Sequence, residues 1–274
     1  MSYAESTPSR AVSRDGTDIA YWTTGNGPPL VLVHGAPADH TRWRPLLPYL
    51  EPHATTHAID RRGRGASGDG PEYALDREYE DVAAVVDAVA GASGSVVDVY
   101  GHSVGGLVAF GAASLTSNMR KLVLYEGWPV VDPAVSWALP DGLQDRLDAL
   151  LAEGDRDEVV ATLFREVEAM SDEDLDAFRA APSWPGRVAA AGAITRELRG
   201  VQGARLDLET AAKITVPVLL LTGERSSDPG NIDIDAVAAA LPDARIVTLE
   251  GHEHVADVLA PEYFADRLVA FLRD

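Results

Sequence analysis

Residues 96–114 read VVDVYGHSVGGLVAFGAAS. A β-branched apolar run, VVDVY, enters a tight glycine turn. It passes at once into GGLVAFGAAS, whose small residues suit a helix packed closely on a sheet. Between the two lies Gly101-His102-Ser103-Val104-Gly105, a G-x-S-x-G pattern. A serine at a sharp strand-to-helix turn is held in a strained backbone conformation with its hydroxyl exposed. The flanking glycines remove side chains that would collide across the turn. The following helix points its positive end at the serine and favours negative charge there. G-x-S-x-G alone is common by chance. The strand before it and the helix after it make Ser103 the candidate nucleophile.

Outward from this turn the same rhythm repeats. PLVLVHG (29–35), THAIDRRG (56–63), KLVLYEG (121–127), VPVLLLTG (216–223) and RIVTLEG (245–251) are short apolar runs closed by glycine. Such runs fit strands buried on both faces. Helical spacing appears at 76–90, through Val82, Val85, Val86 and Val89, and again near 233–241 and 261–273. Residues 10–24 read as a hairpin turning at Asp15-Gly16. The alternation predicts an α/β fold with a largely parallel sheet covered on both faces. From about residue 130 to 212 the rhythm breaks into amphipathic helix divided by Pro133, Pro140, Pro182 and Pro185. The expected organisation is a core formed by 1–128 and 213–274 with a helical insertion at 129–212.

The chain has 274 residues, 43 acidic and 23 basic, for a formal charge of −20. That balance argues against nucleic acid, whose phosphates need a basic footprint, and against an anionic membrane surface. There are no cysteines, so disulfides, thiolate nucleophiles and cysteine metal sites are excluded. The N-terminus lacks the apolar stretch of a secretory signal, and no apolar run approaches the length of a membrane helix. The expectation is a cytoplasmic protein, monomer or homodimer, with no metal and no organic cofactor.

Two further motifs supply partners for Ser103. His34-Gly35-Ala36-Pro37 closes an apolar strand. In acyl transfer the oxyanion needs two donors: the N–H after the nucleophile and one from such an earlier loop. These are Val104 and Ala36, while His34 itself reads as a structural histidine bonded to backbone. Gly251-His252-Glu253-His254 follows RIVTLE, where a general base belongs. His254 is preferred over His252, because it lies three residues past the strand-closing glycine and starts the run into the last helix.

Together these residues resemble the α/β-hydrolase superfamily, from HGAP to the final helix, with DRRGRGASG (60–68) similar to that family's loop after the fourth strand. The resemblance implies an eight-stranded, mostly parallel sheet and a helical cap inserted after strand six. It implies the order nucleophile, acid, histidine, and leaves the acid open between two positions. The family's common position follows strand seven, where Asp228 stands two residues late and Ser226 holds the usual place; Glu224 is a minor option there. Other members place the acid after strand six, which here is Glu126, ending LVLYE. A carboxylate at the tip of so apolar a strand needs a partner, and an imidazole N–H would supply one. Ser103 removes the haloalkane dehalogenase and epoxide hydrolase readings, which need an aspartate nucleophile. Esterase, lactonase, carbon–carbon hydrolase and perhydrolase chemistry remain, beside a non-hydrolytic enzyme that reuses the Ser–His pair and a slow-turnover ligand receptor. The expected substrate is a small to medium apolar acyl compound. Trp128 and Trp137 are its candidate contacts, among a set that includes Phe164, Met170, Phe178 and Trp184.

Overall fold

The computed structural model describes residues 7–70, 72–130, 139–167, 170–226 and 233–274. Eight strands form one sheet: β1 (Ser9–Val12), β2 (Asp18–Gly25), β3 (Pro29–Val33), β4 (Thr55–Ile59), β5 (Val97–His102), β6 (Met119–Tyr125), β7 (Val218–Gly223) and β8 (Ala244–Leu249). Their order is β1-β2-β4-β3-β5-β6-β7-β8. The β1–β2 hairpin and the β2–β4 pairing are antiparallel, and the remaining pairings are parallel. This is the α/β-hydrolase fold expected from the sequence.

Alternation along each central strand builds two cores. Val31, Val33, Val97, Val99, Leu122 and Leu124 face one side, beneath α2 (Leu75–Ser93) and α3 (Val104–Ala113). Leu30, Leu32, Tyr100, Val123, Tyr125 and Leu219 face the other, beneath α1 (Leu47–Leu50) and α12 (Pro261–Arg273). Both faces are covered, so the strands read as unbroken apolar runs.

Between β6 and β7 the chain forms α4 (Leu143–Glu153), α5 (Arg156–Glu166), α6 (Asp172–Arg179), α7 (Trp184–Ala189), α8 (Ala191–Gln202) and α9 (Leu208–Lys213). After β7 follow α10 (Ile234–Ala240) and, past β8, α11 (Ala256–Leu259). Helices α4–α8 carry a separate apolar cluster that includes Leu147, Val160, Phe164, Trp184, Ile194 and Leu198. The chain leaves and returns at one place, since Val130 bridges Arg205 and accepts a 2.8 Å hydrogen bond from the Leu206 N–H. Phe164, Phe178 and Trp184 pack on one another, with centroids 4.9 to 6.2 Å apart. These rings fill the segment's own core.

Strand order reverses at β3, which lies between β4 and β5. In open α/β sheets the crevice at such a switch point is where ligands bind. Here it brings the end of β3, leading to His34-Gly35-Ala36, beside the end of β5, leading to Ser103.

Candidate active site

Ser103 has φ 54° and ψ −132°, a strained conformation for a residue with a side chain. The surroundings force it. Its N–H donates to the Tyr125 carbonyl at 2.9 Å, and its carbonyl accepts from the Gly106 N–H at 2.7 Å. Gly105 packs so closely on the end of β3 that a Cβ there would lie 2.2 Å from the Val33 carbonyl oxygen. A Cβ on Gly127 would lie 1.8 Å from the Ser103 carbonyl oxygen. Only glycine admits these approaches.

Gly35 lies directly against Ser103, a Cβ on it being 2.8 Å from the serine Cβ. The loop continuing to Ala36 is therefore adjacent to the hydroxyl. Among the described residues the Ala36 N–H has no acceptor. Val104 opens α3, where helix geometry leaves the N–H without an internal partner. His34 is fully buried and bonded to backbone. Its Nδ1 lies 2.8 Å from the Gly35 carbonyl, and its Nε2 accepts from the Arg61 N–H at 3.2 Å. Burial and the nearby Arg61 and Arg64 hold its pKa well below the usual histidine value.

β5 and β6 run in register, His102 opposite Tyr125, so Ser103 and Glu126 leave the sheet side by side. Glu126 also has positive φ, 46°. Its Oε2 lies 2.6 Å from His254 Nδ1. Its Oε1 accepts from the Gly223 N–H at 2.6 Å and the Ser226 hydroxyl at 2.6 Å. Burial opposes charging this carboxyl, but the His254 contact and the Gly223 and Ser226 donors outweigh it and hold its pKa below the usual value.

The ring bonded to Glu126 is thus His254, while the His252 ring lies against Tyr263, centroids 4.7 Å apart. Glu224 accepts instead from the Gly251 N–H at 2.7 Å. Asp228 and Trp137 lie outside the described residues. Trp128, Val104, Leu107, Val130, Val201 and Ala204 join Ser103 and Glu126 around a narrow, solvent-open cleft of about 30 Å³.

Sequence reasoning missed the residues that hold the His254 loop. His102 Nε2 lies 2.8 Å from the His254 carbonyl. Burial keeps the His102 ring neutral, with its pKa well below the usual value, so it acts as an N–H donor. The Tyr125 hydroxyl donates to the Glu253 carbonyl and accepts from the Ala256 N–H at 3.1 Å. Asp257 accepts both Arg42 contacts at 2.8 Å and the Tyr100 hydroxyl at 3.1 Å. Tyr100, His102 and Tyr125 sit on β5 and β6, inside runs that read simply as apolar strands. Their polar atoms at the strand ends are the available signal.

A second unforeseen group is a buried ionic cluster. Arg61 pairs with Glu78 through two hydrogen bonds of 2.7 and 2.8 Å and also meets Glu197 of α8. Arg64 donates to Glu197 at 2.6 Å, and the Tyr73 hydroxyl donates to Glu78 at 2.9 Å. The four charged side chains are almost wholly buried. Glu197 lies on the stripe formed by Ile194, Leu198 and Val201, a charged residue on an apolar helix face. That misplaced charge is the sequence signal.

The chain belongs to the alpha/beta hydrolase family, whose sequence profile matches residues 30–267. An alpha/beta hydrolase of known structure from Sphaerobacter thermophilus is 36% identical, with a TM-score of 0.80, over 96% of this chain and 100% of its own. A 2-(acetamidomethylene)succinate hydrolase from Mesorhizobium japonicum is 25% identical over 90% of this chain and 89% of its own. A pimeloyl-[acyl-carrier protein] methyl ester esterase from Xanthomonas campestris is 28% identical over 90% of this chain and 96% of its own. The protein is accordingly a hydrolase enzyme. Among its described residues no helix is long and apolar enough to cross a membrane.

Proposed function

We propose that the protein is a serine carboxylic-ester hydrolase using Ser103, His254 and Glu126, with residues 129–212 as a cap over the nucleophile. The observation carrying this reading is the 2.6 Å contact of His254 Nδ1 with a buried carboxylate that leaves the sheet beside Ser103. Glu126 fixes the tautomer that bears its proton on Nδ1, which makes Nε2 the nitrogen that accepts one. His254 takes the Ser103 proton as Oγ bonds to the substrate carbonyl carbon. The carbonyl electron pair moves onto oxygen, where the Ala36 and Val104 N–H groups receive it. Collapse breaks the bond to the leaving alcohol, which takes the proton from His254. Water then attacks the acyl-enzyme, His254 again accepts a proton, and it returns that proton to Ser103 as the acid departs.

The cleft favours a neutral acyl group. Val104, Leu107, Trp128, Val130, Val201 and Ala204 are apolar. The three arginines of the loop after β4 each face carboxylates of the protein: Arg61 with Glu78 and Glu197, Arg62 with Asp81 and Asp15, Arg64 with Glu197. A dicarboxylate such as the one in the Mesorhizobium relative's name would find these cations already engaged. The test combines labelling by a fluorophosphonate with hydrolysis of p-nitrophenyl esters. Wild type should label and should prefer a neutral ester to an anionic one. Ser103→Ala should lose both labelling and turnover while keeping its circular dichroism spectrum. A folded Ser103→Ala protein that still labels would overturn the proposal.

A further inference from the structure

A second cavity, of about 390 Å³ and open to solvent, lies between α2, α3 and the C-terminal end of α8. It shares two wall residues, Leu107 and Ala204, with the Ser103 cleft. Its wall includes Tyr79 and Phe110 together with Gly200 and Gly203. Gly203 leaves part of it open. A Cβ on Gly203 would meet nothing nearer than the Gly200 carbonyl oxygen at 3.7 Å. The Tyr79 ring lies flat on Gly111, where a Cβ would fall 2.4 Å from a ring atom, so that wall cannot retreat inward.

We infer that this cavity is the distal arm of the substrate site, taking the apolar tail of a medium-chain acyl group whose carbonyl sits at Ser103. The inference rests on the esterase reading above. Three features support it. The two spaces share Leu107 and Ala204 as wall residues, so these two side chains form the partition between the nucleophile's cleft and the second cavity. The walls near the partition are apolar, through Leu75, Tyr79, Leu107 and Phe110. The charged residues Asp76, Arg205 and Asp207, all exposed, stand at the solvent end, so the tail is received by an apolar throat and ends near water. Each methylene buried in such a space favours binding by roughly fourfold, so a chain reaching past Leu107 gains what an acetyl group cannot.

The experiment is a series of p-nitrophenyl esters from acetyl to decanoyl, assayed as kcat/KM on the full chain. Gly203 touches the second cavity and not the cleft, and its φ of −88° accepts a side chain. Gly203→Leu should reduce octanoyl and decanoyl hydrolysis about tenfold or more and leave acetyl hydrolysis and fluorophosphonate labelling unchanged. Leu107→Ala, which opens the partition, should shift the optimum to longer chains. A wild type that hydrolyses acetyl but rejects octanoyl esters would overturn the inference. So would chain-length profiles that coincide in wild type and both variants. Absence of ester hydrolysis and labelling in the folded wild type would instead remove the esterase reading on which the inference stands.

Discussion

The loop carrying His254 and the helical segment carrying Glu197 are both tied to the sheet by buried polar groups, but the ties differ in kind. The loop is held mainly by single hydrogen bonds from the strands beneath it: His102 to the His254 carbonyl, Tyr125 to Glu253 and Ala256, Tyr100 to Asp257. The helical segment is held by charge, with Arg61 and Arg64 from the loop after β4 converging on one oxygen of Glu197. A neutral bond to a backbone carbonyl fixes a position at low desolvation cost, and losing one weakens the loop modestly. A buried ion cluster holds only while its charges balance, and removing one partner strands the others. The loop is built for placement of one imidazole. The segment has its own apolar cluster and is attached through a few charges.

The largest effect should come from the charged group that the loop's imidazole meets, Glu126. Glu126→Gln keeps the side-chain shape but cannot stabilise imidazolium and can hold the wrong tautomer. Turnover should fall on the order of ten-thousand-fold, with KM changed far less, as read from steady-state kinetics on a neutral ester. A loss under about tenfold would move the triad acid to the Asp228 loop and break the comparison at its catalytic end.

Next comes the ion cluster. Two arginines and two glutamates balance, and Glu197→Gln leaves one buried positive charge uncompensated. Global stability should fall by about 3–5 kcal/mol, measured by urea unfolding at neutral pH. The double variant Arg64→Met with Glu197→Leu leaves the Arg61–Glu78 pair intact and neutral, and should recover much of that loss. If the double variant is as unstable as Glu197→Gln alone, charge balance is not what holds the segment.

The two ties also differ in how far the sequence exposes them. The fold was readable because each apolar run ends in glycine and each helix has its period. The eight strands and the final helix, Pro261–Arg273, follow from that pattern. Ser103, with its glycines, is a local motif and needs no tertiary information. Glu126 could only be weighed against Asp228, because choosing between them depends on the register of β6 with β7 and on Gly223 and Ser226 reaching one carboxylate oxygen. Arg61 and Arg64 stand in the DRRGRG motif, yet their partner is 136 and 133 residues away. Nothing local to DRRGRG names Glu197. The insertion was legible as helix but not as a set of faces, so Phe164, Phe178 and Trp184 could not be told from cleft residues until their mutual packing was seen.

The smallest effect concerns pH and separates the neutral tie from the charged one. His34 and His102 are fully buried with pKa values well below 6.5, and burial brings His57 down to about 4. In the unfolded chain all three return to the ordinary value, so below about pH 6.5 the unfolded state binds more protons than the native state. Stability must then rise with pH across this window. The contribution is fully present above pH 6.5 and is lost as pH falls toward the native values, by about 1.4 kcal/mol per pH unit for each histidine that fully titrates. The depressed carboxyls of Glu126 and Glu78 act in a lower window, because their ordinary value is 4.5 and their contribution is lost only as pH falls below it. Between pH 6.5 and 5 Glu126 and Glu78 therefore stay ionised, while the three buried histidines make stability rise with pH. Urea midpoints at pH 7, 6 and 5 should decline, and His102→Gln should make that decline shallower whatever it does to stability at pH 7. If His102→Gln and wild type show the same slope, the ring takes up a proton in the folded protein, and the bond to the His254 carbonyl is a charged tie like the one at Glu197.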